Sequence, residues 1–410
     1  MSVSGSRAPQ AAFPLGARVS IDELADDPHP VLRRLRESEP VSWLPAVGGW
    51  LVSRADLAEQ VMRDWRAFTV DDPRFTTARV VGPSMLSLDG PAHKRHRDPL
   101  AAALRAPETR ARLAACAARE ADRLVAALAS EGDRAELRRG LAGPLAVAVM
   151  ADMLGLDTAP AQLLAWYDAI VGGVSALSMA RSASAEVLAG SRGSRNGVPE
   201  TAAVAFSELS SQVEAVLKRG AQQSVLTAAA GRLGTAEIVS NAAVMLFGGI
   251  ETTEGMICNA IWYLLGNGAA LRQVIADRSL IDGVVDEALR LEPAASVLDR
   301  YATVDMVLGA AAIRRGDLVT VSLAGANRDP AVFRDPDRFD VHRANARQHL
   351  AFAIGPHFCV GAQLARLEAG AAVATVLDRL PGLRLDPARP SRPQGLIFRK
   401  PPSLWVRWAA

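Results

Sequence analysis

Apolar residues recur every three to four positions through most of residues 92–290, the spacing of helices that bury one face. Within that span, Ala236 to Leu265 is apolar on nearly every face until Gly266-Asn267-Gly268 ends it, and such a helix is buried. At ~1.5 Å per residue it runs roughly 45 Å, long enough to cross the molecule. Period-two alternation is confined to the ends of the chain. Val41 to Ser53 alternates around Gly48-Gly49 and predicts a hairpin. Residues 296–325 alternate with a turn near Arg315-Gly316-Asp317, and residues 393–408 predict a last hairpin turning at Pro401-Pro402. Asp27-Pro28-His29-Pro30 ahead of Val31, Leu32 and Leu35 reads as a short capped helix ending at Arg36. Residues 70–87 carry Pro73, Gly82 and Pro83 and predict a long loop. Gly190 to Pro199 predicts a linker or a lid. Residues 1–24 read as a flexible lead and 25–410 as a single domain. There is no internal repeat, no βαβ alternation and no GxGxxG. The expected fold class is mainly α with a smaller β portion.

Composition narrows the function classes. Half of the 410 residues are hydrophobic and 5% aromatic, and the net charge is +2. No basic stripe interleaved with aromatics points to nucleic acid. Met1 to Ser20 lacks the apolar core of a secretory signal. The longest apolar stretches are broken by Pro144, Gly248 and Glu251, so no membrane span is expected. Three cysteines, Cys116, Cys258 and Cys359, are odd in number and far apart, which fits a reducing cytosol and a cytoplasmic protein. The six histidines form no HExxH pair, so a metal hydrolase is not indicated.

Four stretches carry chemistry. The first is Phe352-Ala353-Ile354-Gly355-Pro356-His357-Phe358-Cys359-Val360-Gly361, which runs straight into a helical pattern from Ala362. A single cysteine is by default a small buried hydrophobe. Here it lies at a helix mouth, where the dipole and free N–H groups favour a thiolate. The flanking glycines let backbone approach a flat partner, so one metal held by one thiolate, with a macrocycle across the loop, suits the pattern. The second is Gly248-Gly249-Ile250-Glu251-Thr252-Thr253, in the middle of the buried helix. Each glycine there costs about 1 kcal/mol against alanine. The plain account is a kink with a satisfied core glutamate; the functional one is a groove opened by the kink. The third, Glu287-Ala288-Leu289-Arg290, is an i, i+3 pair of a kind that is ordinarily a weak surface ion pair. The fourth, Asp89-Gly90-Pro91-Ala92-His93-Lys94-Arg95-His96-Arg97, sets His93 and Arg97 one turn apart on one helix face.

In this order, over roughly residues 25–408, these stretches resemble the cytochromes P450 of the soluble bacterial type. The resemblance implies a P450-type fold, with haem b between the long central helix and the cysteine-loop helix. It implies Cys359 as the axial iron ligand, in a loop with Phe352 and Gly361, and thiolate ligation favours O–O cleavage. His93, Arg97, Arg300 and His357 match the positions that hold the haem propionates. Thr252 and Glu251, with Gly249, match the acid–alcohol stretch that handles oxygen and protons; Ile250 replaces a residue that is often polar. Glu287, Arg290 and Arg338, in Asp335-Pro336-Asp337-Arg338-Phe339, match a structural triad. Met85, Leu86, Val244, Phe247, Gly248, Ala295, Val297 and Ile397 fall where substrate pockets lie. Ala353 replaces the first glycine of the loop; alanine resists positive φ, so a shifted loop is expected.

The activity so implied is a haem–thiolate monooxygenase acting with O2 on a small, mainly hydrophobic molecule, by family analogy in secondary metabolism. No flavin or nicotinamide domain is fused, so electrons are expected from an external ferredoxin and ferredoxin reductase. Arg105, Arg110, Arg112, Arg343 and Arg347 are candidates for its docking patch on a monomeric enzyme, with no nucleic acid or membrane involved. Oxidative C–C or C–N coupling and direct use of peroxide keep the fold and change the outcome. A haem-binding sensor, an electron carrier and a helical scaffold without cofactor are the alternatives from other classes.

Overall fold

The computed structural model describes residues 12–182, 198–220 and 224–409 of the chain. The stretch expected as a linker lies outside the described residues as far as residue 197. Of the expected lead, residues 12–24 are built into the fold. Phe13 meets Trp50 edge-on at 5.2 Å. A helix over Ile21–Asp26 is capped by Ser20, whose hydroxyl accepts the Glu23 amide at 3.1 Å. Val19 and Leu24 are buried.

The apolar stretch forms one helix, Thr235–Gly266, referred to below as the central helix. Its start is fixed by Glu237, whose carboxylate accepts the Gly234 amide at 2.9 Å. Being apolar all round, it is packed on several sides, against Gly143–Leu154, Glu200–Arg219, Ile281–Leu291 and the cysteine helix, Ala362–Arg379. The buried Asn259 amide nitrogen donates to the carbonyls of Glu292 and Arg399, each at 3.0 Å, while its Oδ1 is buried without a hydrogen-bond partner. Gly249 allows the close approach of the Gly143–Leu154 helix, since a Cβ there would lie 2.3 Å from Met150 Sδ.

The strands are β1 (Val41–Leu44), β2 (Gly49–Val52), β3 (Phe68–Thr69), β4 (Arg134–Glu136), β5 (Val297–Ala302), β6 (Met306–Leu308), β7 (Ala311–Ile313), β8 (Leu318–Ser322), β9 (Arg384–Leu385) and β10 (Trp405–Arg407). The main sheet runs β1-β2-β8-β5-β3. The β1–β2 hairpin sets Trp43 opposite Trp50, β2 runs parallel to β8, and β5 and β8 are antiparallel with Arg300 opposite Val319.

Two expectations change. Residues 70–87 contain a helix, Thr76–Val81, too short for its buried Thr77, Val80 and Val81 to register as a period. The last hairpin turns earlier than expected, between Gln394 and Lys400, while β10 pairs with β4 and β9. Gly395 permits that tight turn, at φ +116°, where a Cβ would lie 2.0 Å from the Phe398 carbonyl oxygen. Pro401-Pro402 joins the hairpin to β10. Among the described residues no helix is long and apolar enough to cross a membrane.

Candidate active site

The cysteine loop is held by its own backbone. The Cys359 amide donates to the Phe352 carbonyl at 2.9 Å, and the Phe358 amide to Gly355 at 3.1 Å. Gly355 has φ +73°, and a Cβ there would lie 2.9 Å from the Met62 carbonyl oxygen. Ala353 takes φ +54°, the left-handed conformation a glycine adopts freely. The alanine is thus accommodated as local strain of about 1–2 kcal/mol. Phe352 is held by the Arg366 guanidinium, 4.6 Å over its ring, and by His349 at 5.7 Å. Burial pushes the Cys359 thiol up, while the Gly361 amide, Arg97 and Arg366 pull it toward the thiolate. Gly361 leaves that sulfur open on its side, since a Cβ there would lie 4.0 Å from Sγ.

Cationic groups gather beside the loop. The His93 and His357 rings lie 4.3 Å apart. His357 Nε2 is 2.8 Å from Asp89 Oδ1, and Asp89 Oδ2 accepts the Thr69 hydroxyl at 2.6 Å and the Val70 amide at 2.9 Å. Burial opposes charge on Asp89, yet these partners hold its carboxyl below the ordinary range. His93 is pushed down to about 4 by burial, then by His357 and Arg97, and its Nε2 is buried without a hydrogen-bond partner. Arg300 is buried, donates to the carbonyl of Asp299 at 2.8 Å, and is lowered by burial to about 10. Arg97 Nη2 donates to the Phe358 carbonyl at 2.5 Å. The cluster therefore carries more donors and positive charge than Asp89 answers. A buried group bearing two carboxylates fits the orphaned His93 nitrogen and the Arg300 guanidinium.

The central helix offers a bare face at Gly248. A Cβ on Gly248 would meet nothing within 4 Å. Thr252 Oγ1 donates to the Gly248 carbonyl at 2.5 Å, and such a back-bond bends a helix. Buried Glu251 pairs with Lys400 Nζ at 2.8 Å. Around the groove, Phe247 meets Phe398 edge-on at 5.5 Å, Ala295 pairs with Phe398, and the Ser296 amide donates to the Ile397 carbonyl at 2.8 Å. The Met85 amide donates to Asn241 on the central helix at 2.9 Å. Met85, Val244 and Phe247 are buried, whereas Leu86, Ala295, Val297 and Ile397 are half-buried.

The brace beneath the loop differs from expectation in one member. Glu287 bonds Arg290 twice at 2.8 Å, and the third member of the brace is Arg343, whose Nε lies 2.9 and 3.1 Å from the two carboxylate oxygens. Arg338 contributes only its carbonyl oxygen, which accepts from Arg290 and Arg343 at 3.1 Å each, and its side chain is exposed. Coiling of the 338–343 segment turns the later arginine inward. Arg343 thereby leaves the expected docking patch, as does Arg112, paired with Asp152 at 2.6 Å. Phe398 lies in the stretch Leu396 to Phe398 expected to line the pocket, whereas sequence reading missed Lys400, which sits in no pattern of its own, and the role of Asp89.

A donor cluster with an orphaned His93 nitrogen, a half-buried thiol on a glycine loop and a bare helix face fit a flat group bearing two carboxylates. Comparison with known proteins agrees. Residues 216–403 match the family model described as Cytochrome P450. The chain is 34% identical to the cytochrome P450 monooxygenase PikC of Streptomyces venezuelae, over 89% of this chain and 86% of that protein. It is 33% identical to the mycinamicin IV hydroxylase/epoxidase of Micromonospora griseorubida, over 91% and 94%. Among solved structures, a cytochrome P450 of Chondromyces apiculatus superposes with a TM-score of 0.82 at 27% identity, over 95% of this chain and 97% of that one. The chain belongs to the cytochrome P450 family and is a P450 monooxygenase. The family uses haem, O2, an organic substrate and redox partners.

Proposed function

We propose that this enzyme binds haem b through the Cys359 thiolate and oxidises a small, mainly hydrophobic molecule of secondary metabolism, hydroxylation being its simplest outcome. The observation that carries this is the half-buried Cys359 thiol, facing the Gly361 amide, Arg97 and Arg366, beside a donor cluster with an orphaned His93 nitrogen. When bound, haem supplies reductive activation of O2 and transfer of one oxygen atom. His93, His357, Arg300 and Arg97 would hold its carboxylates. Thr252 Oγ1, freed from the Gly248 carbonyl, holds a proton toward the groove, and Glu251 resupplies it. Phe247, Phe398, Val297 and Ile397 orient an apolar substrate and exclude water. The mycinamicin and PikC likenesses favour a secondary metabolite over a primary one.

Electrons are proposed to arrive from an external ferredoxin and its reductase. A hollow of about 300 Å³ beside the cysteine loop is lined by Arg63, Arg347, Arg366 and Phe358, the last 44% exposed. Three arginines around an exposed phenylalanine suit an acidic partner, which would compete for them with Glu59 and Asp286, their partners within the chain. The deciding experiment is the carbon monoxide spectrum of reduced protein. The far red-displaced Soret band of thiolate ligation is expected in the parent and lost in Cys359→His. Its absence in freshly isolated, haem-loaded parent would refute the assignment. In Thr252→Ala, reductant use is expected to continue while peroxide replaces product.

A further inference from the structure

The last hairpin grips the proton-handling stretch and the pocket together. Phe247, Glu251 and Glu254 fall at i, i+4 and i+7 on the central helix and so form one stripe. Residues 394–400 lie along it. Gln394 and Lys400 exchange amide–carbonyl bonds of 3.1 and 3.2 Å, which closes the turn that carries Phe398 onto Phe247. Two residues beyond Phe398, Lys400 Nζ pairs with Glu251 and also bonds Glu254. On its other side Glu254 meets Arg138 at 3.2 Å and Arg139 at 3.9 Å. The hairpin base is pinned by Arg399, whose Nε donates to Glu292 at 2.5 Å and whose amide donates to the Ala294 carbonyl at 2.9 Å. Lys400 is thus aimed by backbone fixed at both ends.

Two carboxylates one turn apart in the interior repel each other, and a shared ammonium between them offsets that repulsion. It also selects the rotamer in which each carboxylate rests. Lys400 is 10% exposed at its side chain, against 7% for Glu251 and 1% for Glu254, so it is the most solvent-exposed of the three. We propose that Lys400 is the positioning residue for Glu251, and that through the hairpin it ties the acid's placement to the Phe247–Phe398 contact at the pocket. The Glu251 carboxylate takes up one proton from solvent and passes it toward Thr252 Oγ1, which returns the carboxylate to its pairing with Lys400; no electrons move on these residues. The inference rests on the reading of Glu251 and Thr252 given above.

The test uses the full-length holoenzyme with a plant ferredoxin and its reductase as surrogate electron donors. Peroxide released per reductant consumed is measured in the parent, Lys400→Met, Lys400→Arg, Glu251→Gln and the double variant. 4-Phenylimidazole titration reports access to the distal side, and thermal unfolding of all five proteins gives a readout independent of turnover. Lys400→Met is expected to raise the peroxide fraction severalfold, as Glu251→Gln does. Lys400→Arg should stay near the parent, and the double variant should add nothing further. The 4-phenylimidazole midpoint should move less than twofold, and the losses in melting temperature should be non-additive. If Lys400→Met fails to accumulate, Lys400→Gln takes its place. An unchanged peroxide fraction in Lys400→Met beside a rise in Glu251→Gln overturns the positioning role alone. No rise in either overturns the Glu251 reading on which it rests. Fully additive effects in both readouts also overturn the link.

Discussion

Ala353 sits in the left-handed region at φ +54° because the bonds around it leave no other conformation, its own amide reaching the Leu350 carbonyl at 2.8 Å. Ala353→Gly should relieve that strain and raise stability by about 1 kcal/mol, less what glycine loses in the unfolded chain. Urea unfolding of the two proteins measures it, and a midpoint lowered by the full entropic cost of glycine would show the loop to be unstrained. A second residue-scale prediction separates two arginines five positions apart. Arg343→Ala removes a partner from Glu287, which is 0% exposed at its side chain, and should cost about 3 kcal/mol. Arg338→Ala removes an exposed side chain and should cost under about 0.5 kcal/mol. Equal losses would place both in the brace. At this scale legibility followed chemistry. Cys359, His93 and Thr252 stood out because few residue types could perform, in their patterns, the tasks proposed for them. Arg338 and Arg343 are the same type in one irregular segment, and only the path of the backbone tells them apart.

Elements were legible where periodicity was long. The central helix was read as Ala236 to Leu265 and spans Thr235–Gly266, because 30 residues of one pattern leave little freedom. The 393–408 segment was misread at its turn, since Pro401-Pro402 is a conspicuous pair, whereas Gly395 matters through a contact invisible locally. The central helix itself supports a prediction with two opposed outcomes. Gly248 faces open space, so Gly248→Ala meets no clash and gains helix propensity of about 1 kcal/mol. The new methyl group also enters the face proposed above for cofactor and substrate. The polypeptide should therefore melt higher while the 4-phenylimidazole response weakens. Gly249→Ala, by contrast, pushes a Cβ toward Met150 and should melt lower. Similar behaviour of the two variants would mean that the groove is not where the bare face lies.

At the scale of the whole molecule, one buried carboxylate ties together segments far apart in sequence. Glu292 Oε2 lies 2.9 Å from His29 Nε2, from the N-terminal part, while Oε1 accepts Arg399 from the last hairpin at 2.5 Å. Arg328 adds charge nearby and bonds Asp337 at 2.9 Å. No spacing rule connects positions 29, 292, 328 and 399, which is why this knot could not be read from the chain. Burial opposes the charge of Glu292, but His29, Arg399 and Arg328 outweigh it and hold the group down to about 2. A carboxyl depressed on folding contributes its stability fully above its ordinary value near 4.5, and loses it as pH falls toward 2. Glu292→Gln leaves the Arg399 guanidinium buried against a neutral amide and should cost about 3–5 kcal/mol at neutral pH. Between pH 4.5 and 2 the parent should lose stability steeply, whereas the variant, already lacking the charge, should fall less. Urea midpoints across that range measure both slopes. Parallel slopes would mean that the acid limb belongs to other carboxyls. Because Arg399 also pins the base of the hairpin that carries Lys400, the same variant should raise the peroxide fraction at neutral pH, joining the stability of the fold to the aim of its proposed proton donor.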